Sequence, residues 1–242
     1  MMKEALRFAA SAIFWRMAVF WTISLLIPYF RLLTKRIFSR RAQSYPRCLP
    51  PISESLTPVC VITGATSRLG AAAAYAISRE GLYVVLVGRS PRLLSKLLIN
   101  NAGILATSSR ITPEGYDQMM GTNYIGALCL SKFTLPLLKR SPVPSRIVNV
   151  TNSAQRINLV MSLAADPGCV RTNIMREVPL CLSNLAFQVL KPFGLLQSPE
   201  NGISSILDAA LAPPEVSGVY FFGGEATLAS KETSRFVPDN MS

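Results

Sequence analysis

Residues 59–70 read Val59-Cys60-Val61-Ile62-Thr63-Gly64-Ala65-Thr66-Ser67-Arg68-Leu69-Gly70, and this stretch decides the fold. A short continuous apolar run of this kind suits a strand buried on both faces, as in a parallel sheet. The glycine-bearing turn Thr63 to Gly70 follows it. Ala71 to Glu80 is rich in alanine and is closed by Gly81, in the position of the first residue past a helix. Leu82 to Val87 is a second apolar strand, ending in Gly88-Arg89-Ser90. Strand, glycine turn, helix and strand form the unit of a doubly wound parallel sheet. A helix N-terminus behind such a turn can aim backbone N–H groups at a pyrophosphate. The spacing of Gly64 and Gly70 is equally compatible with a tight turn that holds no ligand.

Further pieces follow in order. Leu97-Leu98-Ile99 leads into Asn100-Asn101-Ala102-Gly103. Thr112-Pro113-Glu114 predicts an N-cap with proline in the first helical position, and the helix it starts leads to Asn123-Tyr124-Ile125-Gly126. Arg146 to Val150 and Ser162 to Ala165 read as strands, the second running into Asp166-Pro167-Gly168-Cys169-Val170-Arg171-Thr172. Thr-Gly-x-x-x-x-x-Gly, Asn-Asn-Ala-Gly, Asn-x-x-Gly and Pro-Gly-x-x-x-Thr stand in the order found in short-chain dehydrogenases/reductases. The chain resembles that family from about Val59 to Gly224. Its flavour, including Ser217-Gly218-Val219-Tyr220-Phe221-Phe222, is similar to the membrane-associated retinol-dehydrogenase-like and polyprenol-dehydrogenase-like branch.

The resemblance implies a Rossmann-like α/β fold, an NADP cofactor in preference to NAD, and oxidoreduction of an alcohol or carbonyl on a lipophilic substrate. It also implies roles. Gly64, Ser67, Arg68, Leu69 and Gly70 would form the pyrophosphate turn, with Gly64 and Gly70 lining it. Arg89 would meet a 2′-phosphate, because a guanidinium pairs well with phosphate; the alternative for Arg89 is a plain surface arginine. Asn101, Ala102 and Gly103 would flank the adenosine side, and Pro167, Gly168 and Thr172 would hold the nicotinamide. Asn123 would belong to the proton relay, or else serve as a helix-facing amide.

Three departures bear on function. The middle glycine of the family's turn is Arg68 here, whose side chain either points outward and attracts phosphate or blocks the approach of the backbone. Only Ser90 to Ile99 separate Arg89 from Asn100, and seven residues of connection, reaching at most ~23–25 Å, replace a parallel crossover that ordinarily takes a dozen or more. The family's helix, edge strand and further helix are not encoded there. Finally, the reaction uses Tyr-x-x-x-Lys on the helix after the strand Arg146 to Val150. The residues four beyond Tyr29, Tyr45, Tyr75, Tyr83, Tyr116, Tyr124 and Tyr220 are Leu33, Leu49, Arg79, Val87, Met120, Leu128 and Gly224. None is lysine. Tyr75 with Arg79 is the nearest mimic, on the wrong element. The family's orienting serine falls on Asn152, with Thr151 or Ser153 as neighbours that could stand in. The run from Asn152 to Ser162 contains no helical pattern, and two such gaps look like lost coding segments.

Around this domain (58–224) the sequence predicts a hydrophobic segment with a basic flank (1–41), a proline-bearing linker (42–57) and a polar tail (225–242). Phe8 to Phe30 carries one charge, Arg16. Three readings stay open for it: a membrane anchor that spans or lies in the interface with the domain facing the cytosol, an organelle transit peptide, or a helix folded onto the domain. The formal charge of +12 is concentrated here, since the first 47 residues hold nine Lys or Arg against Glu4 alone. The domain shows no basic face interleaved with aromatics, so nucleic acid is not an expected partner. Histidine is absent, which excludes Ser-His-Asp and Cys-His catalysis and any His-containing metal site. The five cysteines form no Cys-x-x-Cys pair and read as buried free thiols. A membrane-attached oxidoreductase homologue of impaired activity is the expectation; the alternative is a non-catalytic NADP-binding or interaction protein. Substrate and oligomeric state are left open.

Overall fold

Strand β1 (Val59–Thr63) occupies an inner position of a seven-stranded sheet, as its apolar run requires. The computed structural model describes residues 10–37, 44–49, 58–66, 68–87, 98–105, 110–141, 145–151, 162–172, 180–223 and 225–228, together with Arg7, Ile174 and Val178. The remaining elements are helices α1 (Ala12–Ile37) and α2 (Arg68–Arg79), strands β2 (Tyr83–Val87) and β3 (Ile99–Asn100), and a helix α3 built of Gln118–Met120, a π turn Gly121–Ile125 and Gly126–Lys139. Then come β4 (Ile147–Val150), β5 (Ser162–Ala165), β6 (Cys169–Val170), α4 (Leu180–Leu190), β7 (Leu196–Gln197), α5 (Pro199–Ala210), β8 (Val219–Phe222) and β9 (Glu225–Leu228). The sheet order is β2-β1-β3-β4-β5-β8-β9, parallel except for β8–β9, and β6 pairs with β7 separately.

This is the Rossmann-like sheet that the motifs imply. Chain order turns back at β1, which pairs with β2 on one side and β3 on the other. Strand β2 is the outer strand of the described sheet; residues 88–97, between β2 and β3 in the sequence, lie outside the described residues. Strands β4 and β5 run in register from Ile147 opposite Ser162 to Val150 opposite Ala165. Between them, residues 152–161, including the expected positions Asn152 and Ser153, lie outside the described residues. The core is made of Ile62, Ile99, Val148 and Leu163 from four adjacent strands, with Ile77 of α2 and Ile206 of α5. Four stacked β-branched or leucine side chains on neighbouring strands pack as the inner row of a sheet buried on both faces.

Four expectations are corrected. Thr112-Pro113-Glu114 does not start a helix. Gly115, at φ 86°, closes a turn on Thr112 instead, and the left-handed residue stops any helix there. The helix begins after Asp117, whose Oδ1 accepts from the N–H groups of Met119 and Met120. The polar tail does not start at Glu225, because Glu225–Leu228 pairs antiparallel with β8 and buries Ala226. Within the expected linker, residues 44–49 lie against the domain. The N–H of Cys48 donates to the carbonyl of Leu211, Arg47 pairs with Asp208 at 2.8 Å, and the ring of Tyr45 lies 6.2 Å from that of Phe221.

The fourth correction concerns the N-terminal segment. Among the described residues no helix is long and apolar enough to cross a membrane. Helix α1 carries Arg16 within it and runs on through Arg31, Lys35 and Arg36, so its apolar stretch is interrupted at both ends. It reaches the domain through Tyr29. The hydroxyl of Tyr29 donates to the carbonyl of Leu195 and accepts from the Gln197 side chain, each at 3.2 Å, and its ring meets Phe222 edge-on at 5.1 Å. Burial pushes the Tyr29 hydroxyl above the usual tyrosine range. That disfavours a charged Tyr29 as a proton carrier at neutral pH.

Candidate functional site

The motif residues gather at the C-terminal edge of β1, β3 and β5, where open α/β sheets bind their ligands. Gly64 has φ 64°, a left-handed conformation natural to glycine, and a Cβ on it would lie 2.9 Å from the Cα of Ala102. A Cβ on Gly70 would lie 2.5 Å from the carbonyl oxygen of Gly64 and 2.6 Å from Nδ2 of Asn101. Both glycines are therefore required by contact between the two turns. That contact is also hydrogen-bonded. Nδ2 of Asn101 donates to the carbonyls of Thr63 (3.0 Å) and Gly64 (3.3 Å), and the hydroxyl of Thr63 accepts from the N–H groups of Asn101 and Ala102 (3.0 Å each).

Leu69 is buried behind the turn as part of the core, whereas Arg68 is exposed. Ser67 and Arg89 lie outside the described residues. Gly103 is less constrained, since a Cβ there would meet only Oδ1 of Asn123 at 3.7 Å and Ile174 at 3.8 Å. Those distances bring the Asn101–Gly103 turn, α3 and the segment after Thr172 together. The hydroxyl of Thr172 itself accepts from the N–H of Ile174 at 3.4 Å.

Asn123 sits in the π turn of α3, a kink of the kind often found at functional positions. Its side chain is committed locally: Oδ1 accepts from the N–H of Ile104 and Nδ2 donates to its carbonyl, both at 2.9 Å. The amide thus fixes the loop after Gly103, so that any relay role would fall to the backbone of the π turn. Asn100, one residue before the glycine-contacting Asn101, is buried between β3 and α3 and donates to Ser131 (3.0 Å) and to Asn149 of β4 (2.9 Å).

A second node holds the Asp-Pro-Gly turn. Asp166 is 4% exposed, its Oδ1 accepts from the N–H of Gly168 at 2.8 Å, and its Oδ2 accepts from the hydroxyl of Tyr220. Gly168 has φ 71°, and Gly202 of α5 packs so closely that a Cβ would lie 3.2 Å from the carbonyl oxygen of Pro167. The sequence reading named Pro167, Gly168 and Thr172 but missed Asp166 and Tyr220. A carboxylate placed just before Pro-Gly, at a strand end, was the available signal.

Thr151 is buried at the end of β4, with its N–H on the carbonyl of Ala165 at 2.9 Å. Tyr75 is exposed on α2, and Arg79 lies at the end of the same helix, so that pair is remote from the strand ends.

The cysteines divide in a way the sequence did not show. Cys60 and Cys169 are buried, whereas Cys48, Cys129 and Cys181 are exposed, and all five are free. Burial first, and the nearby Asp166 second, push the Cys169 thiol up to about 11; burial likewise raises Cys60. Only thiolates react readily, so a thiol-reactive disulfide reagent at pH 8 should label three cysteines quickly in the folded chain and the other two after denaturation. Rapid labelling of all five would contradict the packing.

The comparisons with known proteins agree with this geometry. No protein-family model matches the chain. Human polyprenol dehydrogenase is 24% identical over 284 residues, an alignment taking in 79% of this chain and 84% of that protein. The aligned stretch is longer than this whole chain of 242 residues, so the relative carries segments that have no counterpart here. Mouse retinol dehydrogenase 14 is 28% identical over 178 residues, 56% of this chain and 52% of its own, so the chain spans about half of that relative's length. Among solved structures, a short-chain type dehydrogenase/reductase from Mycobacterium marinum superposes with a TM-score of 0.52 at 14% identity, over 68% of this chain and 92% of that one.

Proposed function

We propose that the chain is a membrane-attached, NADP-binding homologue of the short-chain dehydrogenases/reductases, a reading its likeness to polyprenol dehydrogenase and retinol dehydrogenase 14 supports, and that the family's alcohol–carbonyl oxidoreduction is impaired in it. The observation that carries the cofactor half of this reading is the interlocked pair of turns. Gly64 and Gly70 leave no Cβ over the start of α2, and Asn101 holds them in place. Backbone N–H groups at that helix start would take the pyrophosphate. The exposed Arg68 adds a cation beside it, Arg89 would select the 2′-phosphate of NADP over NAD, and Pro167, Gly168 and Thr172 would face the nicotinamide. The cofactor, when bound, supplies or accepts the hydride.

The catalytic half rests on the tyrosine inventory. With no Tyr-x-x-x-Lys in the sequence, the chain lacks the pairing by which a tyrosine passes a proton to or from the substrate oxygen while a lysine one helical turn on lowers its pKa. The lipophilic substrate class, retinoid or polyprenoid, follows from the names of the relatives. Attachment to a lipid surface is proposed for α1, which exposes Trp15, Phe20 and Phe30 and has a run of arginine and lysine at its C-terminal end.

Titration of the full chain with NADPH, followed by nucleotide fluorescence, tests both halves. Saturable binding is expected, tighter than for NADH. On adding retinoid or polyprenoid carbonyls, turnover should stay below about 0.1 s⁻¹, because general acid catalysis contributes roughly 10²–10⁴-fold to enzymes that typically run near ~10 s⁻¹. Oxidation at ordinary enzyme rates would overturn the impaired-activity reading, and absence of binding would overturn the cofactor assignment. Binding without oxidation is also what a non-catalytic nucleotide-responsive protein would show, a reading favoured by the same missing tyrosine and lysine.

A further inference from the structure

Helix α4, Leu180–Leu190, carries no charged residue. Its inner face packs through Phe187 and Leu190. Its outer side carries an apolar stripe as well: Leu185 is 56% exposed, Val189 52% and, in the turn that follows, Phe193 73%. Leu185 and Val189 lie one helical turn apart on the same side of the helix, and Phe193 follows in the turn after it. An apolar stripe of this kind, running beside the exposed Asn184 and Gln188, is ordinarily the face that a helix turns to protein or to lipid, yet here it is open.

Two observations identify what covers it. The first is continuity with α1. Tyr29 is bonded to the carbonyl of Leu195, two residues beyond Phe193, so the C-terminal half of α1 is fastened beside the end of the α4 stripe. Helix α1 itself exposes Trp15, Phe20 and Phe30 at 61%, 67% and 66%. The second is charge. Residues 5–47 contain no acidic side chain and seven arginines and one lysine, and the stretch from Gly168 to Pro199 holds Arg171, Arg176 and Lys191 against Glu177 alone. Exposed apolar stripes in a stretch of sequence this rich in cations match an anionic bilayer surface, where apolar side chains enter the acyl boundary and cations meet the headgroups.

We propose that the outer face of α4 is a second membrane contact, which together with α1 seats the chain on an anionic phospholipid surface at two adjoining places. This rests on the membrane reading given for α1 above and extends it to the domain itself. It sets α4, the next described helix in the chain after Pro167-Gly168 and Thr172, against the lipid, the phase in which a retinoid- or polyprenoid-like substrate would be dissolved.

The test uses the full chain with Cys48→Ser and Cys129→Ser, which leaves Cys181 as the exposed thiol. A polarity-sensitive fluorophore is attached to Cys181, on α4. Phosphatidylcholine vesicles are added with and without phosphatidylserine, and brominated lipid serves as quencher of Trp15 and Trp21 on α1. The expected result is a blue shift of the Cys181 probe together with tryptophan quenching, both stronger with phosphatidylserine. In unlabelled chain, Leu185→Glu with Phe193→Glu should lower the vesicle partition coefficient at least about tenfold with an unchanged circular dichroism spectrum. If the tryptophans are quenched while the Cys181 probe stays silent and the double variant partitions like its parent, α4 is not a contact and the α1 reading stands alone. If neither responds, both readings fall. A probe shift that needs no lipid and grows with protein concentration, with a doubled mass in sedimentation, assigns the face to a second copy of the chain and overturns the proposal.

Discussion

Gly70→Ala is expected to destabilise the chain by about 3 kcal/mol and to lower its Tm by roughly 6–12 °C. The added methyl would sit 2.5 Å from the carbonyl oxygen of Gly64, 2.6 Å from the amide nitrogen of Asn101 and 3.0 Å from the Cα of Ala65. Two of these three neighbours are backbone, and the third is held by its own hydrogen bonds to Thr63 and Gly64. None can retreat without parting the two turns. Because those turns would also form the pyrophosphate seat, NADPH affinity should fall at least about tenfold even at temperatures where the variant remains folded. Gly103→Ala is the control. Its Cβ would make ordinary contacts at 3.7 and 3.8 Å, and a change within about 0.5 kcal/mol is expected. Thermal melting of the two variants checks the contrast in stability, and NADPH titration of Gly70→Ala against the parent chain checks the loss of affinity; equal destabilisation by the two variants would mean that the interlock is not what fixes the turn.

Asp166→Ala is expected to cost about 2–4 kcal/mol. The substitution removes one buried carboxylate that accepts from two donors on different elements, the N–H of Gly168 and the hydroxyl of Tyr220 on β8. Hydrogen bonds to a charged group are worth about 1.5–3 kcal/mol each, and donors left without an acceptor add a desolvation penalty. Tyr220→Phe removes only one of the two and should cost about 1–2 kcal/mol. Denaturant melts give the order Asp166→Ala, then Tyr220→Phe, then the parent chain. The reporter specific to this node is Cys169, three residues on, which should label measurably faster in Asp166→Ala under native conditions as the turn loosens. Unchanged labelling would mean that the Asp166 hydrogen bonds do not hold the turn.

Much of the fold is legible in the sequence because the central strands are short apolar runs with nothing else to become. Val59 to Ile62, Arg146 to Val150 and Ser162 to Ala165 all lie where the strands form, give or take a residue. The helix of the alanine run forms as Arg68–Arg79, and Gly81, with φ 83°, lies just past its end, in the left-handed position expected of it. The start of α3 was misread because Thr112-Pro113-Glu114 satisfies the local rules for a helix start. What decided against it was Gly115 and the better cap at Asp117, where a carboxylate serves two N–H groups. Strand β9 could not be seen in a polar stretch, since it exists only by pairing with β8. For the site, the glycines and Asn101 were legible as a motif, but their reason was not: a steric requirement between turns nearly 40 residues apart is a property of the folded chain alone.

What the sequence determined by itself is the order of strands and turns, the identity of the motif residues, and the absence of Tyr-x-x-x-Lys, because these depend on which residues are present and how they are spaced. The tertiary structure decided the rest. It tied the side chain of Asn123 to Ile104, bound Asp166 to Tyr220, and laid Tyr29 of α1 against Leu195 and Phe222. Each of these depends on groups far apart in the chain, or on the space around a turn, coming to rest within a few ångströms of one another. Local spacing carries no record of such distances; they are set when the whole sheet closes and its edges find their partners.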